Sequence, residues 1–233
     1  MTSSNDDVFA LRADANKYYP SQLVTGINSK TIDTFISFNC KQYAEFGVNL
    51  GATTLEIARH LNGSGKISLF DYQYNVDYVA QLLLSHGYGN VQKYGSSTKV
   101  LDSYNWPLSS LLKENDGPLF DYCFIDGAHT WNVDALTFFL VDRLLEVGGL
   151  VDFDDYQWSL SKSPTLAPNV FPKTAEFYTD EQIEDQQVKR VVDLLVKTSP
   201  RYEEIVRDKV YRKIANDGEP VSAPSIWKRL WRR

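Results

Sequence analysis

The sequence contains little cysteine, no long apolar run and no excess of basic residues, and each shortage excludes a class of protein. Only two cysteines, Cys40 and Cys123, occur in 233 residues, so we expect no disulfide framework and predict a reducing cytoplasm. No stretch approaches about 18 uninterrupted apolar residues, so we predict no membrane span. The polar, acidic segment 1–7 does not resemble a signal peptide.

The charge balance argues against nucleic acid as a partner. There are 30 acidic and 24 basic residues, which gives a formal net charge of −6. Proteins that bind nucleic acid need a basic face to neutralise phosphates. The hydrophobic fraction of 43% and the charged fraction of 23% are ordinary for a globular protein, and the length allows one α/β domain with a sizeable core.

Short apolar segments alternate with segments of helical periodicity along most of the chain. The predicted strands cover 43–46, 67–70, 91–93, 122–125 and 150–153. The predicted helices cover 29–40, 54–61, 76–84 and 133–145. Gly148-Gly149 are expected to end the last of these helices. Strands this short and apolar are typical of a parallel sheet buried on both faces, so the alternation predicts a doubly wound α/β sheet.

The last third of the chain departs from this alternation. We expect a loop over 156–180, one amphipathic helix over 181–197, and a hairpin of strands 202–206 and 210–214. The predicted fold is therefore a mostly parallel seven-stranded sheet with a C-terminal antiparallel hairpin. This division gives three segments: an N-terminal cap over 1–40, a main domain over 41–215 and a tail over 216–233.

A glycine-containing turn follows the first predicted strand, in the segment EFGVNLG at residues 45–51. Gly47 permits close approach of the backbone to a ligand, and Gly51 opens a helix whose N-terminus can hold an anionic group. Asp71, at the end of the next strand, can accept hydrogen bonds from ribose hydroxyls. This layout predicts a pocket for an adenosine-containing cofactor, with Glu45 beside it. A tight structural turn alone is the alternative.

The spacing of this turn disfavours a nicotinamide cofactor. Positions 47, 49 and 52 hold Gly, Asn and Ala, whereas the dinucleotide fingerprint has three glycines. Ser97, which follows the third predicted strand, has two interpretations. It can cap the next helix, as serine often does, or it can belong to the cofactor-binding loop.

Acidic residues follow two further strands at the same predicted edge of the sheet. Asp126 follows the strand at 122–125, and Asp154 and Asp155 follow the strand at 150–153. Three converging carboxylates repel one another unless a cation lies between them. An all-oxygen set of ligands suits Mg²⁺, Mn²⁺ or Ca²⁺ rather than zinc. The pattern therefore predicts a divalent-metal site, and solvated surface acids are the alternative.

His129 lies three residues after Asp126 and is one of only three histidines in the chain. Histidine titrates near neutral pH, so His129 is a candidate general base or metal-associated residue. A histidine that braces its own loop through backbone hydrogen bonds is the simpler interpretation.

Taken together, these segments resemble a known family. The segment 45–51 and Asp71 are similar to the first motif and the ribose-binding acid of class I S-adenosylmethionine-dependent methyltransferases. The segments FIDGAH at 124–129 and GGLVDFDDY at 148–156 resemble later motifs of metal-dependent macrocin- and catechol-type O-methyltransferases. The resemblance spans about residues 41 to 215 and implies a Rossmann-like methyltransferase fold.

The resemblance also implies roles for matching residues. Those that fall where the family holds S-adenosylmethionine are Glu45, Gly47, Gly51 and Asp71. Those that fall where the subgroup binds Mg²⁺ are Asp126, Asp154 and Asp155. His129 stands where the macrocin-type loop usually has another acid, so the base is either Asp126 or His129.

The hypothesis from the sequence is a divalent-metal-assisted O-methyltransferase. It would methylate a hydroxyl of a small molecule or carbohydrate, and the metal would lower the pKa of that hydroxyl. The alternatives are a non-catalytic S-adenosylmethionine-binding scaffold and a metal-independent N- or C-methyltransferase. A homo-oligomer is left open. The segment IWKRLWRR at 226–233 is a candidate for weak contact with a membrane surface, or for packing on a neighbouring chain.

Overall fold

A seven-stranded sheet is the core of the computed structural model, which describes residues 26–99 and 101–218. Its strands are β1 (Gln42–Phe46), β2 (Lys66–Tyr72), β3 (Val91–Ser96), β4 (Phe120–Ile125), β5 (Leu145–Phe153), β6 (Tyr202–Val206) and β7 (Val210–Lys213). The strand order is β3-β2-β1-β4-β5-β7-β6. The first five strands in this order are parallel, and β7 is antiparallel to both β5 and β6.

Helices precede β1, connect the parallel strands and continue after β5. They are α1 (Ser29–Ser37), α2 (Ala52–Leu61), α3 (Gln73–Ser85), α4 (Asn105–Glu114), α5 (Trp131–Leu144), α6 (Thr174–Phe177), α7 (Asp180–Glu184) and α8 (Gln187–Val191). A 3-10 turn covers Leu160–Lys162, and a π-helical turn covers Val192–Val196. Within the described part of the chain, no helix has both the length and the apolar character needed to cross a membrane.

Successive residues of the central strands point to opposite faces of the sheet, and each face buries its own apolar cluster. In β4, Tyr122 and Phe124 join the cluster that contains residues of α2 and α3. Cys123 and Ile125 join the other cluster, with residues of α4 and α5. Burial on both faces explains why these strands are apolar without alternation. The predicted doubly wound sheet with a terminal antiparallel hairpin is confirmed.

The single helix predicted over 181–197 is wrong, because the segment is divided into α7, α8 and the π-helical turn. The backbone is extended at Asp185. The buried Gln187 side chain donates to the carbonyl of Gln182 and accepts the backbone N–H of Trp131, both at 2.8 Å. These two bonds tie the break to the start of α5. The apolar spacing continues across the break, so the sequence pattern does not reveal it.

Two other predicted helix ends also differ. Helix α1 ends at Ser37 rather than at residue 40, and Asn39 adopts a left-handed φ of +54°. Gly148-Gly149 do not end a helix. They lie inside β5, because α5 has already ended at Leu144 and the backbone of the next residue is extended.

Parts of the predicted terminal segments lie outside the described residues. Only residues 26–40 of the predicted N-terminal cap are described, and the tail segment 226–233 is not. The predicted loop over 156–180 contains the 3-10 turn and α6. The division of the chain at residues 40 and 215 stays a prediction.

Candidate active site

Two loops meet at the carboxyl edge of the sheet, one after β1 and one after β4. The carbonyl of Phe46 accepts the backbone N–H of Asp126 at 2.8 Å. Gly47 has a φ of +94°, and a Cβ there would overlap the backbone of Asp126 and Gly127, with the carbonyl carbon of Asp126 only 2.7 Å away. Glycine is required here because the two loops touch, whereas the sequence analysis expected close approach to a ligand.

A cavity of about 260 Å³ opens beside this contact, with Asp71 in its wall. The Asp71 carboxylate accepts backbone N–H bonds from Val48 (2.8 Å) and Asn49 (3.1 Å) through Oδ2. Oδ1 accepts the backbone N–H of Tyr72 at 2.6 Å. Burial raises the pKa of Asp71 despite these bonds. The acid at the end of β2 therefore holds the glycine turn and also lines this cavity.

Tyr104, a site residue that the sequence did not predict, also lines this cavity. Its hydroxyl accepts the backbone N–H of Ala128 at 3.1 Å and donates to Asp134 Oδ1 at 3.0 Å. Burial raises the pKa of Asp134 to about 6. The tyrosine thus fixes the β4 loop to the start of α5, and a lone tyrosine before a helix gives no sequence signal for this role.

Gly51 begins α2 as predicted, with a left-handed φ of +74°. Glu45 lies near the turn and is 3% exposed. Its Oε2 accepts hydrogen bonds from Thr54 Oγ1 at 2.6 Å and from Tyr43 Oη at 3.1 Å. Burial raises the pKa of Glu45 to about 8, and the two hydrogen bonds only partly offset this effect. Because Glu45 is not among the described residues that line the cavity, its predicted contact with a cofactor stays a prediction.

The free energy of unfolding of the wild-type protein should fall as pH rises, because Glu45 is buried. We expect Glu45→Gln to remove this part of the pH dependence. The folded pKa of about 8 exceeds the ordinary value of 4.5, so the folded state binds more protons between these values and stability falls as pH rises through them. At about 1.4 kcal/mol per pKa unit, the variant should gain a few kcal/mol relative to wild type at high pH. Urea unfolding at about pH 5 and about pH 9 measures this difference.

Glu181→Gln is the matched control, because the Glu181 side chain is 85% exposed. The same substitution there should leave the pH dependence of unfolding unchanged. Equal free energies of unfolding for Glu45→Gln and wild type at high pH would contradict the assignment.

Ser97 does not cap a helix, and that interpretation is wrong. Helix α4 begins at Asn105, after Tyr104. The backbone N–H and the hydroxyl of Ser97 both donate to Asp102 Oδ2, at 2.7 and 2.6 Å. Asp102 and Asp71 both line the cavity, whereas Ser97 contacts Asp102 and is not among the described lining residues. The part of Ser97 in cofactor binding stays a prediction.

The four predicted catalytic and metal-binding residues all line one larger cleft of about 750 Å³. These residues are Asp126, His129, Asp154 and Asp155. The cleft shares Gly47 with the smaller cavity, so the two spaces adjoin. Burial raises the pKa of Asp126 well above its usual range, and repulsion from Asp154 adds to the rise. The strand-end acids are therefore brought together, as the sequence predicted.

His129 lies between two of these acids. Its Nε2 is 3.8 Å from Asp126 Oδ1, and its Nδ1 is 3.8 Å from Asp155 Oδ2. The ring packs against Trp158, with ring centroids 5.2 Å apart. The residue has a left-handed φ of +54°. This backbone turn and the aromatic contact place the imidazole in the cleft, where it can exchange a proton with a bound molecule.

Lys209 and Asn28 reach the same acids, and the sequence analysis identified neither. Lys209 lies in the turn between β6 and β7, and its Nζ is 2.9 Å from Asp152 Oδ1 and 3.3 Å from Asp154 Oδ1. Asn28 Nδ2, at the start of α1, donates to Asp154 Oδ1 at 2.9 Å. Both contacts join segments far apart in the chain, so no local motif marks them.

The predicted magnesium site is not supported by this arrangement. In residues 26–99 and 101–218, no three or more His, Cys, Asp or Glu side chains are grouped so that they could hold a metal ion. Asp154 Oδ1 already accepts from Asn28 and pairs with Lys209. As arranged, the acids do not fit a divalent ion.

Comparisons with known proteins identify the domain. A family model described as a methyltransferase domain matches residues 44–156. No curated protein sequence matches significantly.

Several solved structures share the fold at low sequence identity. The O-methyltransferase TomG of Streptomyces achromogenes, in complex with S-adenosylmethionine, has a TM-score of 0.58 and 15% identity over 92% of each chain. The O-methyltransferase of Bacillus cereus, in complex with S-adenosylhomocysteine, has a TM-score of 0.57 and 15% identity over 92% of this chain and 93% of that one. The S-adenosylhomocysteine-bound methyltransferase PaMTH1 of Podospora anserina has a TM-score of 0.55 and 16% identity over 93% and 98%.

The family match runs from Ala44 in β1 to Tyr156, just after β5, and the fold shared with TomG extends over 92% of this chain. The resemblance found in the sequence, and with it the prediction of a methyltransferase, are confirmed. Residues 44–156 therefore match a methyltransferase domain, and the chain shares its fold with structures that hold S-adenosylmethionine or S-adenosylhomocysteine.

Proposed function

We propose that the protein transfers the methyl group of S-adenosylmethionine to a hydroxyl oxygen of a small molecule or carbohydrate bound in the acidic cleft. The observation that carries this proposal is the shared wall at Gly47, which lines both the cavity of Asp71 and the cleft of His129. A donor held at Asp71 and an acceptor held at His129 would therefore lie side by side. The cleft volume of about 750 Å³ is typical of small-molecule sites.

Two of the similar structures support oxygen as the methylated atom. TomG and the Bacillus cereus protein are described as O-methyltransferases, and each holds the methyl donor or its demethylated product. The acidic cleft and the net charge of −6 support a small acceptor over nucleic acid, whose phosphates would be repelled.

When bound, S-adenosylmethionine supplies a methyl group already activated on a sulfonium sulfur. The residues of the chain then have two tasks, which are to align the acceptor and to remove its proton. Alignment of two bound reactants can lower a barrier by about 7–11 kcal/mol. The acceptor oxygen forms its bond to the methyl carbon as the carbon–sulfur bond breaks, and the electron pair stays on sulfur.

Our first candidate for removing the acceptor proton is His129. Its ring lines the cleft, and its nitrogens are 3.8 Å from Asp126 and Asp155. Asp126 is the second candidate for this proton, because burial and repulsion from Asp154 raise its pKa and make its carboxylate a stronger base. No step uses a divalent ion, because the acids do not fit one, and a chelator in the assay tests the magnesium predicted from the sequence.

The proposal is tested first by calorimetric titration of S-adenosylhomocysteine, and then by an acceptor screen. Catechols, sugars and other hydroxylated compounds are incubated with S-adenosylmethionine, and formation of S-adenosylhomocysteine is followed. Mass spectrometry and NMR locate the new methyl group. Methyl on oxygen supports the proposal, methyl on nitrogen or carbon contradicts it, and cofactor binding without turnover of any acceptor favours the non-catalytic scaffold.

The remaining sequence-based expectations concern partners and location. We propose that a small-molecule acceptor is the functional partner. Contact of residues 226–233 with a membrane surface, a homo-oligomer and a cytoplasmic location stay predictions.

A further inference from the structure

Lys209 is placed at the acidic edge of the cleft by the turn between β6 and β7. Its backbone carbonyl accepts the N–H of Phe153 at 2.9 Å, which attaches the turn to the end of β5. The side chain is 12% exposed and passes over the ring of Phe124, with Nζ 5.1 Å from the ring centroid. The ammonium group is therefore held in one place and is largely removed from solvent.

The ammonium group pairs with two acids, one fully buried and one partly exposed in the cleft. Asp152 is fully buried, and its Oδ1 is 2.9 Å from Lys209 Nζ. Asp154 lines the cleft, and its Oδ1 is 3.3 Å from the same nitrogen. Asp152 Oδ2 accepts hydrogen bonds from Tyr122 Oη at 2.6 Å and Thr31 Oγ1 at 2.7 Å. One cation thus joins a buried carboxylate, whose other oxygen is held by two hydroxyl groups, to a carboxylate that lines the cleft.

The charges around the cleft need such a cation. Asp126, Asp154 and Asp155 face one space, and Asp152 lies beneath them. His129 offsets part of this charge only when it is protonated, and Lys30 lies at the exposed rim of the cleft. Asp152 is the buried member of this group, and a buried carboxylate without a partner is strongly destabilising. Lys209 is the described cation that contacts Asp152 and also Asp154.

We propose that the Lys209 ammonium is the resident cation of this acidic edge and stands in place of a divalent metal ion. It is a positioning residue, because it acts through Asp154 and is not itself among the described residues that line the cleft. Its positive charge holds Asp154 in a fixed orientation toward the acceptor and compensates the acids that the sequence pattern assigned to magnesium. The effect on turnover rests on the proposed function, whereas the effect on metal binding does not.

The test uses Mn²⁺ as a probe, because free Mn²⁺ is measured directly by electron paramagnetic resonance. The full-length wild-type protein should bind Mn²⁺ only weakly. Lys209→Gln removes one positive charge from the site, and we expect its Mn²⁺ affinity to rise at least about tenfold. Lys209→Arg keeps the charge and should behave like wild type. A Lys209→Gln protein that is folded but gains no Mn²⁺ affinity would overturn the proposal.

Lys197→Gln is the matched control. Lys197 also forms ion pairs near the hairpin, with Asp193 at 2.8 Å and with Asp208, but it lies outside the cleft lining. Its substitution should leave Mn²⁺ binding unchanged. An equal gain in both lysine variants would show a general charge effect, and this result would contradict the proposal.

Wild-type measurements keep the proposal falsifiable even if Lys209→Gln does not fold. Tight Mn²⁺ binding by wild type, or turnover that a chelator abolishes and Mg²⁺ restores, would overturn it. With an acceptor in hand, turnover by wild type should be unaffected by the chelator and should fall in Lys209→Gln, with S-adenosylhomocysteine affinity unchanged. If no acceptor is methylated, the proposed function fails, and the Mn²⁺ titration still decides the role of Lys209.

Discussion

Gly47→Ala should abolish measurable cofactor binding and strongly destabilise the domain. The added Cβ would meet the backbone of Asp126 and Gly127, and a backbone cannot move aside as a flexible side chain can. The φ of +94° adds a conformational cost of about 1–3 kcal/mol for a residue with a side chain. Moving the β4 loop would displace Asp126 and separate the two cavities that share Gly47. We expect the affinity for S-adenosylhomocysteine to fall at least about a hundredfold.

The Gly148→Ala variant measures the cost of the left-handed backbone conformation without a steric clash. Gly148 has a similar φ of +99°, but no atom lies within 4 Å of its would-be Cβ. The free energy of unfolding of this control should fall by only about 1–3 kcal/mol, the cost of the backbone conformation. Its cofactor binding should be unchanged. Calorimetry and thermal unfolding of both variants provide the comparison. If Gly47→Ala binds S-adenosylhomocysteine as Gly148→Ala does, the contact between the two loops is not what makes glycine necessary.

His129→Asn should reduce kcat by about a hundredfold to ten-thousandfold, the usual contribution of a positioned general base. Asparagine is chosen because it tolerates the left-handed φ of +54° at this position. The affinity for S-adenosylhomocysteine should be unchanged, since His129 lines the acidic cleft and not the cavity of Asp71. The rate is measured as S-adenosylhomocysteine formed with the acceptor that the screen identifies.

His86→Asn is the control for this variant, because His86 is exposed at the end of α3 and its described hydrogen bonds go to Ser85 and the carbonyl of Leu82. It should retain wild-type turnover.

Asp126→Asn distinguishes the two candidate bases. Full activity in His129→Asn together with loss in Asp126→Asn would assign the proton to Asp126 and contradict the proposed role of His129.

The candidate site could be predicted from the sequence where its residues follow strands directly. The carboxyl ends of parallel strands share one edge of a sheet, so Asp71, Asp126, Asp154 and Asp155 were expected at that edge once the strands were identified. His129 was expected there because it belongs to the loop of Asp126. These predictions need only local patterns and one general rule of α/β topology.

The structural roles of some predicted residues were not accessible in this way. Gly47 was expected to leave room for a ligand, yet its would-be Cβ meets the loop after β4, almost eighty residues later in the chain. Glu45 was expected beside the cofactor, yet its carboxylate is held by Tyr43 and Thr54 in a buried position. The first difference depends on which loops touch, and the second depends on how β1 packs against α2. Both follow from tertiary packing.

The sequence by itself determined the doubly wound sheet, its closing hairpin and the edge that carries the acids, because burial on both faces and helical periodicity are written in local residue patterns. Only the tertiary structure decided what surrounds those acids. Lys209 arrives from a hairpin turn and Asn28 from the start of α1, and a single lysine or asparagine in a loop carries no local signal. Charge compensation in a buried site depends on distances in space, and the fold alone sets those distances.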